Sequence, residues 1–197
     1  MRRITLLIVM MLSLGATALY AQRTYALSSA EVTIAGTSTL HDWESVVEQV
    51  KGQALIQLEG NELTAIKSLR IDFVVESIKS GKTQMDRNTY KALKAEAHPL
   101  IRYELKRIEG IQRRGTSWEI QARGKLSIAG VSREIPLSVQ AAASKDGRLK
   151  MWGQYELNML DYQVEPPTAM MGAIKTGEKV TITFTIEMKP SDFSTTP

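Results

Sequence analysis

"WEIQARGKLSI", residues 118–128, decides how this chain folds. Trp118, Ile120, Ala122, Gly124, Leu126 and Ile128 fall on one face, while Glu119, Gln121, Arg123, Lys125 and Ser127 fall on the other. Successive side chains of a strand point to opposite sides, so this period of two is the mark of a half-buried strand. The same alternation recurs at Ile101, Tyr103, Leu105; at Ile135, Leu137, Val139, Ala141; at Leu149, Met151, Gly153, Tyr155, Leu157; and at Val180, Ile182, Phe184, Ile186, Met188. Turn signals at Glu109-Gly110, Ala129-Gly130 and Lys145-Asp146-Gly147 separate them, which predicts antiparallel hairpins. Towards the N-terminus, strands are expected at Glu31–Ala35, at Trp43–Gln57 with an interruption near Gly52, and at Leu69–Ser77, where Ile71, Phe73 and Val75 share a face.

About eight strands with one wet and one apolar face must pack on a partner sheet or close on themselves, and closure also removes the edges that invite aggregation. The expected fold is all-β: an antiparallel barrel of about eight strands with one short helical segment. A two-sheet sandwich would satisfy the same pattern. The helical segment is "MDRNTYKALKAEAHP", in which Tyr90, Leu93 and Ala97 share a face, Asp86 or Thr83 caps the start and Pro99 ends it. A long irregular stretch, Asn158–Glu178, holds Pro166-Pro167 and Met170-Met171, and loops of that length often line a site.

Residues 1–21 read as a secretory signal peptide: Arg2 and Arg3 precede an apolar run from Ile4 to Leu14, with cleavage after Ala18 or Ala21. The run is short for a membrane span, which needs about 20 residues, so a periplasmic or otherwise exported protein with no integral span in the mature chain is expected. Without cysteine it carries no disulfide and no lipid-anchor cysteine. Removing Arg2 and Arg3 leaves 23 of the 25 basic residues against 21 acidic ones, so most of the basicity belongs to the leader. That balance argues against a nucleic-acid partner, which would call for a basic stripe with interleaved aromatics. Residues 22–190 are expected as one domain and 191–197 as a polar tail.

"AGTSTLHDWE", "SGKTQMD", "LKAEAHPLIRYEL", "GKLSIAGVSREIPLSV" and "PPTAMMGAIKTGEKVTITF", in this order and spacing, resemble the YceI-like family of secreted bacterial proteins. The resemblance implies a lipocalin-like barrel around an elongated apolar cavity that holds an isoprenoid or another long-chain amphiphile, and it implies no reaction and no cofactor. The energetics allow this, because a twenty-carbon tail gains on the order of 16 kcal/mol at roughly 0.8 kcal/mol per methylene. Association costs about 4–15 kcal/mol.

The residues expected at such a ligand are His41, Trp43, Phe73, Met85, Arg87, Leu126, Met151, Trp152, Met170, Met171 and Phe184. Phe73, Leu126, Met151 and Phe184 stand on apolar strand faces, and Trp43 and Trp152 either wall a cavity or simply pack. Methionines are unbranched and adapt to variable tails. Arg87, with Lys82, stands where a helix N-terminus could hold an anionic headgroup, although Asp86 would oppose it. Inward-facing Ala122, Gly124, Ala141 and Gly153 either leave room for a tail or relieve curvature. His41-Asp42 reads as a structural pair or a doorway group. As a catalytic or metal centre it would need partners, and neither a nucleophile-elbow pattern near Ser38 and Thr39 nor a third ligand beyond distant His98 supplies them. Other readings are a filled-barrel stress or interaction module, a lipid-modifying enzyme using His41-Asp42, and an outer-membrane barrel, which the missing aromatic girdles disfavour. A homodimer paired through an exposed strand is compatible with the pattern.

Overall fold

The computed structural model describes residues 22–169 and 173–191. The expected leader, Met170-Met171 and the tail beyond Ser191 therefore lie outside the described residues. In chain order the strands are β1 (Gln22–Ser38), β2 (Trp43–Val47), β3 (Val50–Glu59), β4 (Glu62–Val74), β5 (Ile78–Lys79), β6 (Leu100–Arg114), β7 (Ser117–Ile128), β8 (Val131–Ala143), β9 (Leu149–Asn158), β10 (Thr168–Ala169) and β11 (Ile174–Pro190). Helix α1 is Thr83–Ala92, and single 3-10 turns occupy Val75–Ser77 and Met159–Tyr162. Antiparallel pairing runs β11-β9-β8-β7-β6-β4-β3-β1, and β1 returns to β11, closing an eight-stranded barrel. The remaining strands are appendages: β2 and β5 extend the wall, and β10 pairs only with the start of β11.

How the barrel opens follows from β1. Its first half, Gln22–Ala26, pairs with β3, and its second, Thr33–Gly36, pairs with β2. Thus β2 and β3 are one strand bent at Glu48-Gln49 rather than near Gly52, and the turn Val75–Ser77 bends β4 into β5 in the same way. Buried Ser77 ties the two bends together, donating to the Val74 carbonyl at 2.7 Å and accepting from the Gln49 N–H at 3.0 Å. Beyond the bends β5 pairs with β2 and not with β6, so the wall splits there, and α1 follows β5 across the split.

Several local expectations change for identifiable reasons. Glu109-Gly110 lies inside β6 at a register shift, a bulge rather than a turn, and the chain reverses at Gly115 (φ 62°). The strand expected from Leu69 begins at Glu62, because a second register shift separates buried Leu63 and Ile66 by three residues and breaks the alternation. Helix α1 ends at Ala92 rather than at Pro99: Lys94 is left-handed (φ 54°), its N–H bonds to the Lys91 carbonyl and that of Ala95 to the Tyr90 carbonyl. That is a Schellman ending with lysine in the place usually taken by glycine. Neither Asp86 nor Thr83 caps the start; Lys82 is the N-cap residue without a side-chain bond, and Asp86 instead accepts from Ser80 N and Oγ at 2.8 and 2.6 Å.

The two halves of the barrel are packed differently. At one end Tyr25, Ile56, Trp118, Ile120, Leu149 and Met188 form a filled core. Inward-facing glycines along the barrel are occupied by neighbouring side chains. A Cβ on Gly124 would run into the Tyr103 ring, one on Gly52 would come within 2.5 Å of Ile71 Cδ1, and one on Gly153 within 2.9 Å of Phe184 Cζ. These glycines seat large neighbours from adjacent strands and leave no open space at their own positions.

Candidate functional site

The other half of the barrel is hollow. An inner chamber of about 140 Å³ is walled by Leu69, Phe73, Tyr103, Leu126, Leu137 and Phe184, and its floor is made by Ile71, Val139, Met151 and Ile186, which also belong to the filled core. Above it an outer chamber of about 350 Å³ opens at the split in the wall, bounded by α1, the turn between β1 and β2, and residues of Met159–Thr168 and Ile174–Thr176. Ile34, Ile78, Ile101, Ile128 and Ile182 line both chambers and form a collar between them. The two chambers thus abut at this collar and lie end to end as one elongated apolar channel, the inner against the packed core and the outer beneath α1. The outer chamber alone falls in the size range of small-molecule sites.

Apart from the phenols of Tyr103 and Tyr155 in the inner chamber, the polar side chains among the described lining residues belong to the outer one. Ser38, Gln84, Asn88, Thr89 and Thr176 line the outer chamber, and Lys82 is the one Lys or Arg among its described lining residues. Two buried phenols stand along the channel. Burial pushes Tyr103 up to about 12, and burial together with the neighbouring Tyr155 pushes Tyr162 up to about 12, so both stay neutral across physiological pH. The Tyr162 hydroxyl has no hydrogen-bond partner among the described residues. Such a channel can solvate an alkyl chain and offer weak hydrogen bonds to a headgroup.

Helix α1 lies over the mouth with Met85, Asn88, Thr89 and Ala92 towards the outer chamber. None of its residues is fully buried. It is fastened chiefly through Tyr90, whose hydroxyl accepts from Lys79 Nζ at 2.7 Å and sits 2.9 Å from the Glu76 and Ile78 carbonyls. Burial would raise the Asp86 carboxyl, but the two Ser80 hydrogen bonds and the Lys79 charge outweigh it and hold the group below its ordinary range.

Of the residues expected at a ligand, His41, Trp43 and Met85 line the outer chamber, and Phe73, Leu126, Met151 and Phe184 line the inner one. Trp43 stacks over Gly36 and donates its indole N–H to the Thr37 carbonyl at 3.1 Å. Arg87 and Trp152 line neither chamber. Arg87 lies on the exposed side of α1. Trp152 follows inward-facing Met151 on β9, so the alternation that turns Met151 in turns Trp152 out.

His41 Nδ1 bonds the backbone carbonyl of Asp42 at 2.9 Å, not a carboxylate. Ser38 donates to the His41 carbonyl at 2.7 Å and accepts from the backbone N–H groups of Leu40 and His41. The pair thus shapes a turn at the rim. His98 sits in a separate shallow groove against Gly130, and among the described residues no three His, Asp or Glu side chains are grouped to hold a metal. The collar isoleucines, Tyr162 and the Asn88-Thr89 edge of α1 were not expected at the site. Ile101, Ile128 and Ile182 carried an inward-facing signal, whereas Tyr162 follows a strand end and had none.

A family model for the YceI-like domain matches residues 22–188. Among curated proteins none matches the sequence. The fold is similar to that of a polyisoprenoid-binding domain from Saccharophagus degradans, with 11% identity, TM-score 0.66, and 85% of this chain and 98% of that one covered. It is also similar to Burkholderia cenocepacia BcnA, with 14% identity, TM-score 0.61, and 80% and 95% covered. A YceI protein from Campylobacter jejuni shares 18% identity at TM-score 0.58, with 75% and 85% covered.

Proposed function

We propose, from the premise that the chain belongs to the YceI-like family, that it is an exported, periplasmic protein that binds and sequesters or carries a long-chain isoprenoid-like or similar amphiphilic lipid without chemical turnover. The observation that carries this is the apolar channel that meets the packed core at one end and, two phenols apart, has its polar lining side chains at the end beneath α1. A structural neighbour described as polyisoprenoid-binding supports the same reading. The tail lies in the inner chamber and the headgroup at the mouth, where uncharged hydrogen-bonding side chains outnumber the single lysine. A His41 ring bonded to the next residue's carbonyl, beside a Ser38 hydroxyl engaged with backbone, favours a binder over a hydrolase. The leader expected at residues 1–21 is the basis for export.

Native mass spectrometry of protein expressed with its own leader and purified without detergent tests the reading, followed by organic extraction of any bound mass. A stoichiometric long-chain lipid and a mass lacking the leader are expected. An empty protein that also refuses prenols and fatty amphiphiles on titration would refute it. Replacing both His41 and Asp42 with Asn separates binding from chemistry, because a lipid-modifying enzyme centred on the pair would lose turnover of the lipid, whereas a binder keeps its binding mostly intact.

A further inference from the structure

We propose that the filled end of the barrel is a stop that sets the length of tail this protein accepts, and this rests on the lipid-binding reading above. The channel does not run the length of the barrel. On β11 the lining residues end at Ile186, and Met188, the next inward position, is fully buried in the core. The same boundary falls between Met151 and Leu149 on β9, and between Val139 and Ala141 on β8. Three neighbouring strands thus close the channel at one level, with Tyr25 and Trp118 packed beneath it.

The depth above that floor follows from strand geometry. From Thr176 at the mouth to Ile186 at the floor, a rise of about 3.3 Å per residue and a tilt of about 40° give a channel roughly 25 Å deep. An extended chain advances about 1.2 Å per bond, so the channel holds about 20 bonds including the headgroup. A geranylgeranyl chain fits with its headgroup at the polar rim, a farnesyl chain leaves the inner chamber partly empty, and a solanesyl chain is about twice too long.

The test is competitive loading from one equimolar mixture of farnesol, geranylgeraniol and solanesol, read by extraction and mass spectrometry. Wild-type protein is compared with Val139→Phe, which places a ring above the floor in existing free space. Comparing both proteins in the same mixture cancels any preference of the donor phase. The expected result is that wild type retains geranylgeraniol in preference to both other prenols. Val139→Phe then shifts the ratio of farnesol to geranylgeraniol by at least about tenfold, corresponding to two or more methylenes excluded at roughly fourfold each. Leu137→Phe fills the same chamber one level higher and serves if Val139→Phe fails to fold. Equal retention of solanesol and geranylgeraniol by wild type, or an unchanged ratio in the folded filling variant, overturns the stop while leaving lipid binding intact. If wild type retains none of the three prenols, the binding reading fails and the stop with it.

Discussion

Gly124→Ala tests whether the inward glycines are seats for neighbouring rings rather than space for a ligand. The added methyl would overlap the ring of Tyr103, which reaches across from β6 and is 7% exposed. Overpacking of this kind costs about 1–3 kcal/mol, and relief of glycine's conformational freedom returns about 0.5–1 kcal/mol. The expected net loss is about 1.2 kcal/mol, or a melting temperature lower by about 2–5 °C for a chain of this size. The direction in which the ring can yield is also fixed, because the inner chamber beside it is open. Gly124→Ala therefore also obstructs the chamber and lowers prenol uptake. Thermal melts of Gly124→Ala, Tyr103→Leu and the double variant form the assay, with uptake measured on each. The two substitutions should couple by about 1 kcal/mol or more, the alanine being tolerated once the ring is gone. A wild-type melting temperature in Gly124→Ala, or simple additivity in the double variant, would refute the reasoning.

Three further outcomes are expected. Tyr162→Phe removes a buried hydroxyl that has no partner among the described residues, so urea unfolding should show a gain of about 1 kcal/mol; a loss would mean that a water or another group satisfies it. Tyr90→Phe cuts the tie between α1 and β5, and amide exchange in residues 83–92 should accelerate roughly five- to thirtyfold for a local loss of about 1–2 kcal/mol, with the barrel strands unaffected. Burial raises the Asp72 carboxyl, but hydrogen bonds and charge from Arg102 and Arg70 outweigh it and hold it below its ordinary range. A carboxyl lowered on folding lends stability above its unfolded pKa of about 3.9 and loses it as pH falls through the folded value. Asp72→Asn should therefore unfold less steeply with acid than wild type below about pH 4, and parallel acid limbs would count against the assignment.

The barrel was legible where alternation runs unbroken. β7, β8 and β9 have no register shift in their pairing with one another, so period two carried their inward faces directly from sequence to structure. Where a bulge adds a residue the signal inverts, and this is why the start of β4 was missed and Glu109-Gly110 was taken for a turn. The ends of α1 depend on backbone hydrogen bonds around Ser80 and Lys94, which residue type does not announce. At the site, the strand residues Phe73, Leu126, Met151 and Phe184 were readable because they share the faces that define the barrel. Trp152 packs outside the channel because adjacent residues of one strand cannot both face inward and Met151 already does. Tyr162 reaches the channel through the tertiary placement of an irregular segment, where no periodicity exists to be read, and α1 through a crossing of the mouth that its own periodicity does not encode.

The division of the barrel into a packed and a hollow half follows from a conflict between stability and ligand space. An unfilled apolar volume forfeits about 24 cal/mol per Å³, so the inner chamber of about 140 Å³ withholds on the order of 3 kcal/mol from a fold whose total stability is typically about 5–15 kcal/mol. Extending the channel through the filled end would deepen that loss and remove the contacts of Tyr25, Trp118 and Leu149, and α1, none of whose residues is buried, would not compensate. The packed half can carry the folding free energy while the open half stays available, and a bound tail would restore what the empty chamber forfeits. On this argument the floor at Met151 and Ile186 marks how much of the interior the chain can leave empty and still hold a closed barrel.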